Sequence, residues 1–461
     1  MILRILDTSS PLCDGISRRE WLRIGGVALG GLSMAGLGRA AELGALTGTG
    51  KARSVIVFGL IGGPPQHETW DPKPDAPAEI RGEFGSIDSA TPGLRVGELM
   101  PLTAKLTNKI AVLRAMSTND NAHSSSGYQM LTGVPHIPLS QENATPKPPN
   151  NAPTMGAIIR ALRSDQGRLP AAITLPEHIW NDGNVTWPGQ DAGVLGNRFN
   201  PWLMHCDPSS KEFRPPDLSL PDDLPPLRLD GRRSLLDQVN GHLDTRLRAA
   251  ETDPFGLHAQ RAFDLLSGSS ARKAFDLNEE PDAVRDRYGR TRFGQSTLLA
   301  RRLIEAGVTL IQVNWTRVKE LPGGWDTHVK HNEAIKKTLM PTMDQTYSAL
   351  LEDLEARGLL DETLVIWFGE FGRTPRFNKD GGRDHWGHAF SLALAGGGIK
   401  GGIVHGASDK NGAHVVEGLV EPRDLLATMY HCLGHEPGTE VLDALGRPIP
   451  ISRGRVIKAV I

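Results

Sequence analysis

Continuous apolar runs recur along the chain, and each one ends in a loop rich in histidine, carboxylate or arginine. Ser54–Ile61 (SVIVFGLI), Val308–Trp315 (VTLIQVNW) and Thr363–Phe368 (TLVIWF) have the pattern of strands buried on both faces. Shorter runs at Ile110–Arg114 and Ala171–Leu175 also read as strands, and another apolar run begins at Phe390. Helical periodicity lies between them, at Leu99–Leu106, Gln129–Gly133, Thr154–Leu162, Thr297–Glu305 and the long stretch Glu333–Arg357. This alternation predicts an α/β fold with a mostly parallel sheet and helices on both faces. Residues 50–461 are expected to form a single domain. Charge and helical periodicity over Arg228–Arg287 predict a mainly helical insertion at about 228–290 that covers one edge.

On such a sheet, ligands gather beyond the carboxyl ends of the strands, so the loops there are where chemistry is expected. The first strand runs into Gly62-Gly63-Pro64-Pro65 and then His67, Glu68 and Asp71. The second leads to Asn119–Tyr128, a strand-to-helix junction carrying His123 and Ser124, where helical N–H groups can hold an anion. Asp326, His328 and His331 follow the Val308 strand. Glu370 and Arg373 follow the Thr363 strand, with Asp384-His385-Trp386-Gly387-His388 close behind. Any one of these histidines also fits a structural role; together with the carboxylates they predict a polar cleft.

Asp326 and His328 are two apart, so in an extended segment they face the same way and can share an ion. A mixed carboxylate and imidazole set suits one divalent metal, zinc or manganese, with calcium or magnesium as the alternatives. Asp384 can ligate or can orient the His385 ring. Arg373 can fork onto an oxyanion or bridge Glu370. No HExxH, P-loop or GxSxG pattern occurs, and Gly396–Gly402 reads as a tight turn with close backbone approach.

Composition adds limits. A net charge of −2 over 461 residues, with lysine and arginine scattered, excludes a nucleic-acid footprint. The three cysteines exclude a disulfide scaffold, and whether Cys206 and Cys432 pair is left open by the sequence. Residues 1–45 read as a twin-arginine signal: Ser17-Arg18-Arg19-Glu20-Trp21-Leu22 precedes a glycine-rich apolar run, Ile24–Leu37. That run is shorter than the roughly 20 residues of a spanning helix, so the mature chain is expected to lack a stable membrane span. The twin-arginine export machinery is the implied partner, and a periplasmic or extracellular location the implied destination.

Five segments then carry a resemblance: Gly62–Pro77 (GGPPQHETWDPKPDAP), His123-Ser-Ser-Ser-Gly-Tyr, Gly323-Gly-Trp-Asp-Thr-His, Gly369-Glu-Phe-Gly-Arg-Thr-Pro and Asp384-His-Trp-Gly-His. With the leader, they resemble the bacterial family called domain of unknown function 1501. The resemblance implies a fold similar to the alkaline phosphatase and sulfatase superfamily. Leu351–Gly372 is similar to the sulfatase helix and strand that end in Asp-His-Gly, and Asp384-His385-Trp386-Gly387 resembles a zinc-binding Glu-His-Thr-Gly of alkaline phosphatases. It implies an exported hydrolase of phosphate or sulfate esters, with a small-molecule or glycan ester as substrate. The metal would be held by some of Asp326, His328, Glu370, His385 and His67. His123 or Ser124 would be base or nucleophile, and Arg373 would counter developing charge. Two departures favour an alternative, a non-catalytic exported binding protein: no acid ends the first strand, and His123 stands at the nucleophile position. Trp70, Trp187, Trp325 and Trp386 are candidates to stack on sugar rings in that case.

Overall fold

Alternate residues of the central strands enter two separate hydrophobic cores. In the strand Ser54–Gly59 (β1), Ile56 and Phe58 face one core, and Val55 and Val57 face the other. Such period-two burial on both faces requires helices above and below. The structure, a computed structural model, describes residues 50–163, 169–181, 185–211, 213, 273–317 and 323–461. The leader and most of the expected helical insertion lie outside the described residues.

The remaining strands of the main sheet are Ile110–Met116 (β2), Ala172–Leu175 (β3), Trp202–Leu203 (β4), Leu310–Asn314 (β5), Thr363–Phe368 (β6), Phe390–Ala395 (β7) and Ile403–His405 (β8). Their spatial order is β8-β2-β7-β6-β1-β5-β3-β4. Every neighbouring pair is parallel except the two made by β7, which runs against both β6 and β2. The expected fold class, α/β with a mostly parallel sheet and helices on both faces, is what the chain forms.

One face is covered by Asp282–Tyr288 (α3), Arg292–Glu305 (α4) and Met340–Ala356 (α5), the other by His123–Thr132 (α1), Met155–Arg163 (α2) and Pro422–Cys432 (α6). The long helix expected over 333–357 is interrupted: a π turn, Ile335–Leu339, precedes α5. Pro341 lies in the first turn of α5 and has no N–H to continue the ladder, which accounts for the break. The helix expected at 99–106 is a 3₁₀ segment at Thr103–Lys109 instead. The described end of the insertion is not peripheral. Phe275, Leu277 and Tyr288 enter the core, and buried Arg301 pairs with Glu280 at 2.8 Å and Asp353 at 3.0 Å. Cys206 and Cys432 are buried free thiols.

The glycine turn after β7 behaves as read from the sequence. Gly396 has φ +66°, and a Cβ there would lie 2.3 Å from the Leu360 carbonyl oxygen. Among the described residues no helix is long and apolar enough to cross a membrane.

Candidate metal centre

Strand register brings the carboxyl ends together. Gly59 of β1 sits between Phe368 of β6 and Asn314 of β5, while Met116 of β2 faces Phe390, the start of β7. The loops leaving these points carry Gly62, Glu370, Asp326, His123 and His385 to one rim. They are tied to each other directly. Gly387 N–H donates to Asn121 Oδ1 at 2.7 Å, and Asn378 Nδ2 donates to Asp384 Oδ1 at 3.0 Å and to the His328 carbonyl at 2.9 Å.

Three imidazoles converge on Asp326 through the same nitrogen. His123 Nε2 is 3.2 Å from Asp326 Oδ2, and the Nε2 atoms of His328 and His385 are each 3.0 Å from Asp326 Oδ1. In every case the other nitrogen, Nδ1, faces a group that can only accept. His123 Nδ1 donates to Glu370 Oε1 at 2.7 Å, His328 Nδ1 to Asp384 Oδ1 at 2.7 Å, and His385 Nδ1 to the Asn121 carbonyl at 2.7 Å. These partners orient the rings so that each Nε2 faces Asp326, and a neutral ring held this way would present its Nε2 lone pair there. Ligand atoms of His123, Asp326 and His385 lie within 4.8 Å of one another.

The electrostatics call for positive charge there. Burial alone would lower the His123 pKa, but hydrogen bonds to Asp326 and Glu370 outweigh it and raise it to about 9. Burial would raise the Asp326 pKa, yet its three histidine contacts and Arg373 hold it far below the ordinary carboxylate range. Phe371 closes one side by stacking on His385, with centroids 4.4 Å apart. The His328 and Asp384 side chains are 40% and 51% exposed, so solvent reaches the cluster there. An open position on a metal-type cluster is what catalysis needs and a purely structural site lacks.

Several expected roles change. Glu370 is fully buried and takes the Gly62 N–H on both oxygens, at 2.8 and 3.1 Å, besides the His123 ring. It orients a histidine and is not itself in the cluster. Arg373 is also fully buried. It donates to Gly63 O at 3.2 Å, to Arg383 O at 2.9 Å, to Gly62 O and to Asp326 Oδ1 at 2.5 Å. It therefore positions Asp326 and is not aimed at a substrate. Ser124 Oγ donates to Gln141 O at 2.8 Å and accepts the Ala144 N–H at 3.0 Å, stapling the 138–153 loop to α1.

His67 is not brought to the cluster. Its Nε2 donates to the Asn411 carbonyl at 2.8 Å, and burial first, then the charge of Arg383, lower its pKa to about 4. Glu68 pairs instead with Arg383 at 2.6 Å and Asp71 with Lys73 at 3.0 Å, so neither replaces a first-strand acid. No acid could stand at Gly62: φ is +111°, and a Cβ would meet Asp326 N at 2.3 Å. The N-terminus of α1, expected to suit an anion, is taken by the chain itself, for Glu142 Oε1 accepts the His123 N–H at 2.7 Å. Trp70, Trp187 and Trp325 are fully buried and cannot stack on sugar; Trp386 is half-buried.

The inward nitrogen of His123 was not foreseeable from spacing, since its partner Glu370 lies 247 residues away. The signal was its place at a strand-to-helix junction on the ligand edge. A small cleft of about 30 Å³ adjoins the cluster, and its lining includes His123, Asp326, Glu177, His178, Trp180 and Arg317.

A mostly parallel sheet with a polyhistidine and carboxylate rim at its carboxyl edge defines an α/β protein with a candidate metal centre. The chain belongs to the family described as protein of unknown function, DUF1501, matched over residues 52–461. No curated protein matches the sequence. Solved structures that resemble the fold include a sulfatase from Pseudoalteromonas sp. (14% identity, 83% of this chain and 68% of that one, TM-score 0.37). Others are a phosphonate monoester hydrolase from Silicibacter pomeroyi (13%, 88% and 76%, TM-score 0.40) and a lipoteichoic acid synthase from Listeria monocytogenes (9%, 90% and 78%, TM-score 0.33). Scores this low do not carry chemistry from those proteins to this chain.

Proposed function

We propose that this is an exported, divalent-metal-dependent hydrolase of phosphate or sulfate esters, working in the periplasm or outside the cell. The gathering of His123, Asp326 and His385 ligand atoms within 4.8 Å of one another, with His328 Nε2 3.0 Å from Asp326 Oδ1, is the observation that carries the reading. The residues fit such an ion: His123, His328, His385 and Asp326 would hold it. Three nitrogens and one carboxylate suit zinc or manganese better than calcium or magnesium, which favour oxygen donors. The chemistry such an ion supplies when bound is Lewis-acid polarisation of an ester oxygen and a lowered pKa for a water.

The chain's own groups prepare the site. Glu370, Asp384 and the Asn121 carbonyl hold the Nδ1 protons, so each ring presents a lone pair. Arg373 pins Asp326 and offsets part of its charge. Phe371 shields one flank from water. With the Ser124, Ser125 and Ser126 hydroxyls of α1 each committed to other contacts, none of these serines is offered as nucleophile, which favours attack by water. Export is supported by the twin-arginine pattern at Ser17–Leu22.

The same commitment of Ser124, with histidine where a nucleophile is expected, favours one second reading, a metal-holding binding protein without catalysis. Metal analysis of the folded protein decides the first point: about one divalent ion per chain in the native protein and none in Asp326→Ala/His385→Ala supports the centre. Full retention in the double variant sinks it. Turnover of aryl phosphates or sulfates by the loaded protein then separates the hydrolase from the binder.

A further inference from the structure

We infer that His388 and His414 form a second, two-imidazole metal site on the far face of the strand that carries His385, suited to zinc, nickel or copper. The inference goes beyond the ester-hydrolase reading and does not depend on it. Consecutive residues of the short strand His385–Trp386 point to opposite faces, so Trp386 turns away from the cluster that His385 joins. His388 follows it to that side, where the two rings meet with centroids 4.7 Å apart. The His414 ring lies 5.8 Å from Trp386 and 5.9 Å from His388.

The pair is held by bonds that leave ring nitrogens unused. His388 Nδ1 donates to Asn119 Oδ1 at 2.8 Å, so the neutral ring keeps its lone pair on Nε2. Burial, then the nearby His414, lower the pKa of His388, which favours that neutral form. His414 is exposed, and none of the described residues takes its ring nitrogens. The turn that presents it is fixed. Asp409 Oδ1 accepts the Asn411 and Ala413 N–H groups at 2.9 Å each, and Trp386 Nε1 donates to the Ala413 carbonyl at 2.6 Å. With metal–nitrogen bonds of about 2.0–2.1 Å, two imidazoles on one ion have centroids roughly 5–6.5 Å apart, a range that includes this pair. Imidazole suits zinc, nickel and copper, whereas calcium and magnesium favour oxygen donors. Two protein ligands leave the other positions to water, so this site should be weaker than the centre at Asp326 and open to an outside ligand.

The test is equilibrium dialysis of the full chain against zinc, with bound ion counted per chain. Native protein should take up about one ion more than His414→Ala, and His388→Ala should lose the same ion. The His414 ring is exposed and holds no hydrogen bond, so His414→Ala should keep the native thermal midpoint, and a lost ion is then not lost folding. Asp326→Ala, which removes a ligand from the first centre, should retain the second ion. Equal uptake by native protein and both histidine variants overturns the inference, whatever the state of the first centre. Loss of the ion in only one of the two variants overturns the pairing. Failure of the first centre alone would show as native uptake of a single ion that His414→Ala abolishes, which supports this site and sinks the other.

Discussion

The Nε2 atoms of His328 and His385 lie 2.8 Å apart, while the Nδ1 atoms of both rings donate to acceptors that have no proton to give. Two neutral rings held this way would oppose their lone pairs, so the pair is stable only with a positive charge shared between them. A metal ion meets that need, and its removal should be felt by the whole fold. Chelation of the native protein is expected to lower its thermal midpoint. The linkage is about 4 kcal/mol when free metal stands at about 1,000 times its dissociation constant. Asp326→Ala/His385→Ala should show no such response. An unchanged midpoint on chelation of a metal-loaded native sample would count against the centre.

Glu370→Gln tests orientation as distinct from ligation. The amide oxygen can still take the place of Oε1, which accepts from both Gly62 N–H and His123 Nδ1, but the variant loses the carboxylate charge beside the His123 ring and puts an NH₂ donor where Oε2 accepts the Gly62 N–H. Metal affinity should fall by about 10- to 100-fold, the usual cost of losing such a supporting partner. Competition against a chromophoric chelator measures it. Affinity equal to native would show that Glu370 does not set the His123 ring.

Ser124→Ala separates nucleophile from staple. Its hydroxyl binds Gln141 O and Ala144 N–H, so the expected loss is stability, about 1–3 kcal/mol for an unpaired buried donor. Ester turnover by the folded variant should stay within about twofold of native. A loss beyond about 100-fold, with metal content intact, would restore Ser124 to the chemistry.

Glu68 gives a pH signature outside the cluster. Burial alone would raise its pKa, but Arg383, at 2.6 and 3.1 Å, and His331 hold it well below the usual carboxylate range. A carboxyl depressed in the folded state stabilises fully above its unfolded pKa, about 4.3. That contribution is lost as pH falls below it toward the folded value. Glu68→Gln should therefore destabilise by about 3–5 kcal/mol at pH 7, leaving Arg383 buried without its counter-charge. Urea titrations should show the gap between native and variant narrowing below about pH 4. A gap that is constant with pH would refute the ionic account.

The sheet was legible because its strands are near-continuous apolar runs. Thr363–Phe368 is the strand expected to the residue, and Ser54–Gly59 and Leu310–Asn314 fall inside the expected runs. The direction of β7 was not legible, since one apolar run looks the same in either sense. Within the site, the sequence placed Asp326, His328, His123 and His385 on the right edge, because strand ends announce it. It could not assign which nitrogen of His123 points inward, or that Glu370 and Arg373 serve other side chains. Those facts depend on Gly62, whose backbone joins Glu370 and Arg373 across 308 and 311 residues.

Those separations bear on how the molecule reaches its final state. Asp326, His328 and His385 are joined by contacts spanning 57 and 59 residues, within one continuous portion of the chain. His123 enters from far upstream, through a contact with Glu370 spanning 247 residues. Contacts of such reach bear the largest loop-closure cost and are characteristic of slow steps. Three donors can thus gather before the sheet is complete, while the fourth arrives only with β2 seated between β7 and β8. If the centre holds the proposed ion, tight capture would act as a checkpoint, distinguishing a chain whose sheet has closed from one that has stalled with a partial set of donors.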